Sequence, residues 1–380
     1  MSKPVYILNG TTLVMGGAIQ ACVNFIGEAC KDNEVTWVFY ISPQISRQLN
    51  ACGISLDGHL ARCFSASPAK SYSARRAVKK AVESVDPEAV FTFFGPSYVK
   101  FNCEHFLGFA DPWVLHPNKY ADKLLSSFKQ KIKTYLLCSY KKFWLMKADA
   151  WFVETTAAKS GLVKQVNCSS YDVAVVANGC RDVFNTIEPQ SITPDLKKFH
   201  LLYLSAYYPH KNFELIPYVA RALKKFKPDY QFIFTLSIGT DNKLVKNIED
   251  VARSFDVLDN IEFIGSVSLD GVADLYKKSH IAFIPTLLEV FSAAYSEAMT
   301  CGLPVVTSDL DFSQSVCGDA VFYFAPNDWD SAANAIIQCV DNQEQRELLI
   351  KKAHLLAGDL PSASQKYFQY KQFINNKVNG

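Results

Sequence analysis

Pro285-Thr286-Leu287-Leu288-Glu289-Val290-Phe291-Ser292-Ala293-Ala294-Tyr295-Ser296-Glu297-Ala298-Met299-Thr300-Cys301-Gly302-Leu303-Pro304-Val305-Val306 is the stretch that decides the fold. The apolar run 281–284 ends at Pro285, a loop carries Glu289, and a helix starts near Ser292. Gly302-Leu303-Pro304 then stops the helix before the next run, 304–307. Strand, helix and strand in that order form a βαβ unit, whose strands lie parallel. The same alternation continues upstream through the runs 201–204, 231–236 and 261–264, each separated by a stretch of helical period. Farther upstream, Glu188-Pro189-Gln190-Ser191-Ile192-Thr193-Pro194 reads as a linker. An earlier series precedes it, with runs at 5–8, 35–40, 89–94, 113–115, 150–153 and 173–176. The expectation is an α/β chain of two Rossmann-like, doubly wound domains flanking an interdomain cleft. The first covers 1–188 and the second 189–362, with a C-terminal helix at 363–380 packing back on the first.

Bulk properties agree with a folded enzyme. At 380 residues the chain exceeds one ordinary hydrophobic core, and 49% apolar against 20% charged residues suits compact domains. Thirty-nine basic and 37 acidic side chains leave no overall case for nucleic acid as a partner. The start, Met1 to Asn9, runs straight into a strand-like segment without signal-peptide features, and no run is long enough to span a bilayer. Eleven cysteines without a CxxC pair read as thiols in a reducing compartment. A cytoplasmic location is expected.

In a doubly wound sheet, ligands bind beyond the carboxyl ends of the strands. Glu289 stands there at a helix start and Glu297 two turns inside the helix. The N–H groups of Phe291, Ser292 and Ala293 are placed to hold a diphosphate, and the two carboxylates can accept hydrogen bonds from sugar and ribose hydroxyls. On residue type alone, Glu289 could equally be a helix-start acid and Glu297 a solvated side chain.

The segment resembles the glutamate-seven-glutamate signature of retaining GT-B glycosyltransferases, glycosyltransferase family 4 or group 1. Phe263-Ile264-Gly265-Ser266-Val267, Leu275-Tyr276, Ser279-His280, the segment Ala148 to Thr155 and the Asn178-Gly179 turn also resemble that family in order and spacing. The resemblance implies that Glu297 binds the donor ribose, that Glu289 contacts the transferred sugar, and that Ser266 and Val267 line the nucleotide site. Lys211, in Ser205-Ala206-Tyr207-Tyr208-Pro209-His210-Lys211-Asn212, matches the family lysine that neutralises the donor diphosphate. Bond cleavage builds negative charge on that leaving group, so a cation is wanted there. Read without the resemblance, Lys211 is an exposed lysine opening a helix. Where the family commonly carries an arginine, this chain has Ala206.

In the first domain, Gly16 and Gly17 follow the first strand and match the family loop facing the donor phosphate and acceptor, although a Gly-Gly pair can be a simple turn. His116, read as lying directly after a strand 113–115, is a candidate for contact with the donor sugar or acceptor, or a structural histidine. Segment 123–147 holds seven lysines, no acidic residue, and interleaved aromatic and aliphatic side chains. It reads either as a basic amphipathic helix for an anionic membrane surface, placing the protein peripherally on the inner face, or as a packed helix with solvated lysines.

No cluster of metal-ligand spacing is seen, so no metal or resident cofactor is expected, the substrate being a nucleotide-sugar such as a UDP- or GDP-sugar. The leading expectation is metal-independent, retaining sugar transfer to a glycan or lipid-linked acceptor in surface polysaccharide assembly. A nucleotide-sugar epimerase of the same fold and a catalytically silent, membrane-associated binding protein are the alternatives.

Overall fold

The computed structural model describes residues 3–125, 127–180, 182–240 and 243–380. It divides into two compact units, one of residues 1–115, 127–178 and 361–380, the other of 116–126 and 179–360. The sequence reading drew its boundary at 188; the division falls at 178/179, and segment 116–126 packs with the second unit.

The first unit is built on strands β1 (Val5–Gly10), β2 (Thr36–Ile41), β3 (Ala61–Cys63), β4 (Ala89–Thr92), β5 (Glu104–Gly108), β6 (Ala150–Val153) and β7 (Val173–Val175). They are parallel in the order β3-β2-β1-β4-β5-β6-β7. Successive side chains supply opposite faces of this sheet. Tyr6, Leu8, Trp37, Phe39 and Phe91 enter one core, shared with the helices Gly17–Ala29 and Ala363–Val378, while Ile7, Val38, Tyr40 and Val90 enter another, against the helix Tyr72–Val85. Both faces being covered explains why these strands read as nearly unbroken apolar runs.

The helix Ala363–Val378 belongs to the first unit's core. Tyr370 packs against Phe152 and Phe91 with ring centroids 4.8 and 5.2 Å apart. The Trp37 indole donates to Tyr367 Oη at 2.8 Å, and Lys371 pairs with Asp32 and Glu34 at 2.9 and 2.8 Å.

Two local readings change. Residues 113–115 are not a strand: Pro112–Leu115 is a helical turn, with the Asp111 carboxylate accepting from the Trp113 N–H at 3.0 Å. Asp followed by Pro at the first helical position starts a helix, and three apolar residues alone cannot show period. Gly161, in the helix Thr156–Val166, lies so close to this turn that a Cβ would come 2.2 Å from the Leu115 carbonyl oxygen. The strand expected at 113–115 is instead β5, disguised by Glu104 and His105.

His105 is buried at the end of a polar chain crossing three strands. Thr11 donates to Asn9 at 2.7 Å, Asn9 donates to Thr92 at 3.1 Å, and the Thr92 hydroxyl meets His105 Nε2 at 2.9 Å. Burial pushes the imidazole down to about 4, against 6.5 for an unburied histidine. The unfolded chain therefore binds more protons between those values. This contribution to stability is complete above pH 6.5 and is lost as pH falls toward 4. His105 alone should make the wild type about 2 kcal/mol less stable at pH 5 than at pH 7. Urea unfolding at both pH values should show that difference shrinking by this amount in His105→Gln.

Candidate active site

The second unit is built on β8 (Lys198–Tyr203), β9 (Gln231–Leu236), β10 (Ile261–Phe263), β11 (Ile281–Ile284), β12 (Val305–Ser308) and β13 (Phe322–Phe324). These are also parallel, in the order β10-β9-β8-β11-β12-β13. Strand order reverses between β8 and β11, and the crevice beyond their carboxyl ends is where such sheets take ligands. Lys211 follows β8 and Glu289 follows β11.

The two loops are joined by a run of hydrogen bonds. Pro209–Lys211 is a single 3-10 turn, closed by Asn212 in the left-handed region at φ 59°. Asn212 Nδ2 donates to the Pro285 carbonyl at 3.2 Å; the His210 carbonyl accepts from the Leu287 N–H at 2.8 Å and from Thr286 Oγ1 at 3.2 Å. Tyr203 Oη, at the end of β8, donates to the Lys211 carbonyl at 2.9 Å. With both backbones fixed, Lys211 Nζ donates to Glu289 Oε2, and both side chains are largely buried. Lys211 is thus not a solvated lysine.

The helix following Glu289 is Ala293–Cys301, with Ser292 at its N-cap and Gly302 in the left-handed region at its end. Ser292 makes no side-chain capping hydrogen bond, and its carbonyl accepts from the Tyr295 N–H at 3.1 Å. Tyr295 in the first turn is anchored to Thr307 of β12 at 2.8 Å, and Thr307 to the Ile284 carbonyl of β11 at 2.8 Å. Glu297, just over one turn in, is buried and accepts from Tyr276 Oη at 3.2 Å. Tyr276 comes from the helix Leu269–Lys278, and its burial, with Glu297 alongside, holds the phenol well above its ordinary range, as a donor.

Ser266 and Val267 lie in the loop between β10 and that helix. Gly265, at φ +72°, turns the chain there, and its N–H donates to the Ile238 carbonyl at 3.1 Å. No hydrogen bond or ion pair among the described residues links Ser266 or Val267 to the Lys211–Glu289 pair.

His116 follows a helical turn rather than a strand, and its segment packs on the second unit. Asn118 supplies part of the reason: its Nδ2 donates to the Leu287 carbonyl at 3.0 Å while its Oδ1 caps the helix Lys119–Leu124. His116 Nδ1 lies 3.0 Å from Asp311 Oδ2, and this hydrogen bond holds the Asp311 carboxyl below the usual carboxylate range. The ring is buried, and its Nε2 finds no hydrogen-bond partner among the described residues.

Gly16 and Gly17 stand on the first unit, after β1 and at the start of the helix Gly17–Ala29. Gly16 has φ 81° and ψ −177°, a conformation open essentially to glycine alone. Gly17 needs no such freedom, and a Cβ there would meet nothing within 4 Å. Among the described residues, no group of three or more His, Cys, Asp or Glu side chains is arranged to hold a metal ion.

Sequence reasoning missed Asp311 and the placement roles of Tyr276, Tyr203, Asn118 and Asn212. Only Asn212 and Asn118 left a local signal, as residues suited to a left-handed turn and a helix cap.

The pairing of Lys211 with Glu289 has a measurable consequence. Removing either member leaves a desolvated charge, so each of Lys211→Met and Glu289→Gln should destabilise the second unit. The double variant should be less destabilised than the two single losses added together, with a coupling of about 1–3 kcal/mol. A double-mutant cycle in urea measures it directly.

Residues 184–355 match the family model described as glycosyl transferases group 1. The chain is 25% identical over 205 residues to O-antigen chain mannosyltransferase B of Escherichia coli, covering 50% of this chain and 51% of that protein. It is also 25% identical over 186 residues to O-antigen chain mannosyltransferase RfbU of Salmonella typhimurium, covering 48% and 49%. The chain thus matches about half the length of these curated relatives. Among solved structures it shares the fold of Anabaena Alr3699/HepE, crystallised with UDP and glucose: TM-score 0.66, 13% identity, 98% of this chain and 100% of that one. The matched segment contains both loops of the β8–β11 switch point and the helix bearing Glu297, so the likeness to the group 1 glycosyl transferases falls on the candidate site.

Proposed function

We propose that the chain moves a sugar from a nucleotide-sugar donor to a glycan or lipid-linked acceptor in surface polysaccharide assembly. The observation that carries this reading is the Lys211–Glu289 pair at the switch point of the second sheet, within the segment matching the family. The O-antigen mannosyltransferases among the relatives suggest the class of product.

In this reading Lys211 and the N–H groups of Phe291, Ser292 and Ala293, leading into the helix, receive the donor diphosphate, of a UDP- or GDP-sugar. The leaving nucleoside diphosphate gains charge as the glycosidic bond breaks, and a pre-positioned cation favours that state over the ground state. Glu289, relieved of part of its pairing as the diphosphate competes for Lys211, accepts from hydroxyls of the transferred sugar. Glu297, oriented by Tyr276, accepts from the ribose, and Ser266 and Val267 border the nucleotide. His116 and the Gly16-Gly17 loop serve the sugar and acceptor side. Transfer proceeds with retention and without a metal, Lys211 and the helix N terminus supplying the charge. No helix of the described residues is long and apolar enough to cross a membrane. The same reading places the protein on the cytoplasmic face, held peripherally at an anionic surface through segment 123–147.

Release of nucleoside diphosphate from a panel of UDP- and GDP-sugars, with and without lipid-linked acceptors, tests the reaction. Glu297→Ala and Lys211→Ala should each lower donor affinity or turnover at least about tenfold, the loss expected for a hydrogen bond to a charged group. Circular dichroism would confirm that both variants stay folded. Unchanged affinity and rate in both would remove the assigned site, and donor conversion without acceptor would mark an epimerase.

Turnover should also continue undiminished in EDTA. Activity abolished by the chelator and restored by magnesium or manganese would show that Lys211 and the helix N terminus do not carry the leaving-group charge by themselves.

A further inference from the structure

Segment 123–147 does not form one helix. Lys123 sits in Lys119–Leu124 with the second unit, whereas Phe128–Leu145 is a separate helix of the first unit, capped by Ser127 through the Gln130 N–H at 3.2 Å. That helix is attached through its C-terminal part. Leu145 is buried, Lys141 pairs with Asp111, and Trp144 packs on Tyr98 with centroids 6.0 Å apart. Arg75 adds a hydrogen bond to Tyr140 Oη at 2.9 Å.

With about 100° of rotation per residue, Phe128, Ile132, Tyr135, Leu136 and Phe143 fall within an arc of about 100°, opposite Lys141, Trp144 and Leu145. All five are exposed, Phe128 by 78%, Tyr135 by 72% and Leu136 by 60%. Lys129 and Lys133 border one edge of this stripe, and Lys131 and Lys142 the other. No acidic residue occurs in 128–145.

Single exposed apolar side chains are ordinary, but five on one stripe of one helix call for an apolar partner. The lysines along both edges narrow its chemistry to a surface that is anionic outside and apolar beneath. Lysine stems can lie along hydrocarbon while their ammonium groups reach phosphates.

We propose that Phe128–Leu145 lies in the plane of one leaflet of an anionic bilayer. Phe128, Ile132, Tyr135, Leu136 and Phe143 enter the acyl boundary, and Lys129, Lys131, Lys133 and Lys142 meet lipid phosphates. This rests on the peripheral location given above and sharpens it: the protein inserts by an apolar face instead of adsorbing by charge alone, and Lys123 and Lys141 take no part. It is independent of the sugar-transfer reaction.

The test is co-sedimentation of the full chain with vesicles of phosphatidylglycerol and phosphatidylcholine, against phosphatidylcholine alone, at low salt and at about 0.5 M salt, where surface charges are screened within a few ångströms. Wild type should bind the anionic vesicles and keep part of that binding in high salt. The double variant Ile132→Asn, Leu136→Asn, changed at exposed positions, should lose at least tenfold in affinity and all the salt-resistant binding. Replacing Lys129, Lys131, Lys133 and Lys142 by Gln should weaken low-salt binding, while Lys123→Gln should bind as wild type. Circular dichroism controls for folding. Full binding by the apolar double variant would overturn insertion and leave charge adsorption standing. Absence of wild-type binding to either vesicle would overturn both. A dimer in light scattering, dissolved by the same double variant, would assign the stripe to a second copy and overturn the proposal.

Discussion

The hydrogen bond from the buried Asn212 side chain to the Pro285 carbonyl joins the two loops on which the candidate site depends. Asn212 occupies the left-handed region, which costs most residues about 1–2 kcal/mol and which asparagine tolerates better. That conformation ends the turn after β8 so that the His210 carbonyl can accept from both Thr286 and Leu287. Lys211 and Glu289 then meet because their backbones are already fixed. Ion pairing alone would hold two such side chains weakly, since desolvating both charges offsets much of the attraction.

The second carboxylate is treated differently. Glu289 faces a cation, whereas Glu297 lies inside a helix and faces a phenol that burial keeps protonated. The Lys211 ammonium pairs with the first carboxylate, and the Tyr276 hydroxyl donates to the second.

The first unit is held by aromatic packing. Phe25, Phe91, Phe93, Phe152, Tyr367 and Tyr370 form a contiguous layer between the sheet and the helices on that face. The C-terminal helix, far away in sequence, supplies two of those rings and the partner of Trp37. Across the strands, the polar chain from Thr11 to His105 satisfies groups that would otherwise be buried unpaired.

Much of this was legible in the sequence. The runs 231–236 and 281–284 are strands in full, because strands covered on both faces must be apolar throughout. The Glu289 loop and the helix bearing Glu297 follow from the Gly302-Leu303-Pro304 stop and the spacing of strand and helix. β5 was not legible, because its histidine is made tolerable by Thr92 and the Lys147 carbonyl, partners that lie on other segments. The turn 112–115 was misread because three apolar residues carry no period. The pairing of Lys211 with Glu289 spans 78 positions and that of His116 with Asp311 spans 195. Local pattern and period determined which segments become strands and helices and which loops end at the ligand edge of the sheet. Which side chains meet there, and which unit holds residues 116–126, was decided by the tertiary structure alone, since hydrogen bonds and charge pairs depend on positions in space that no local pattern records.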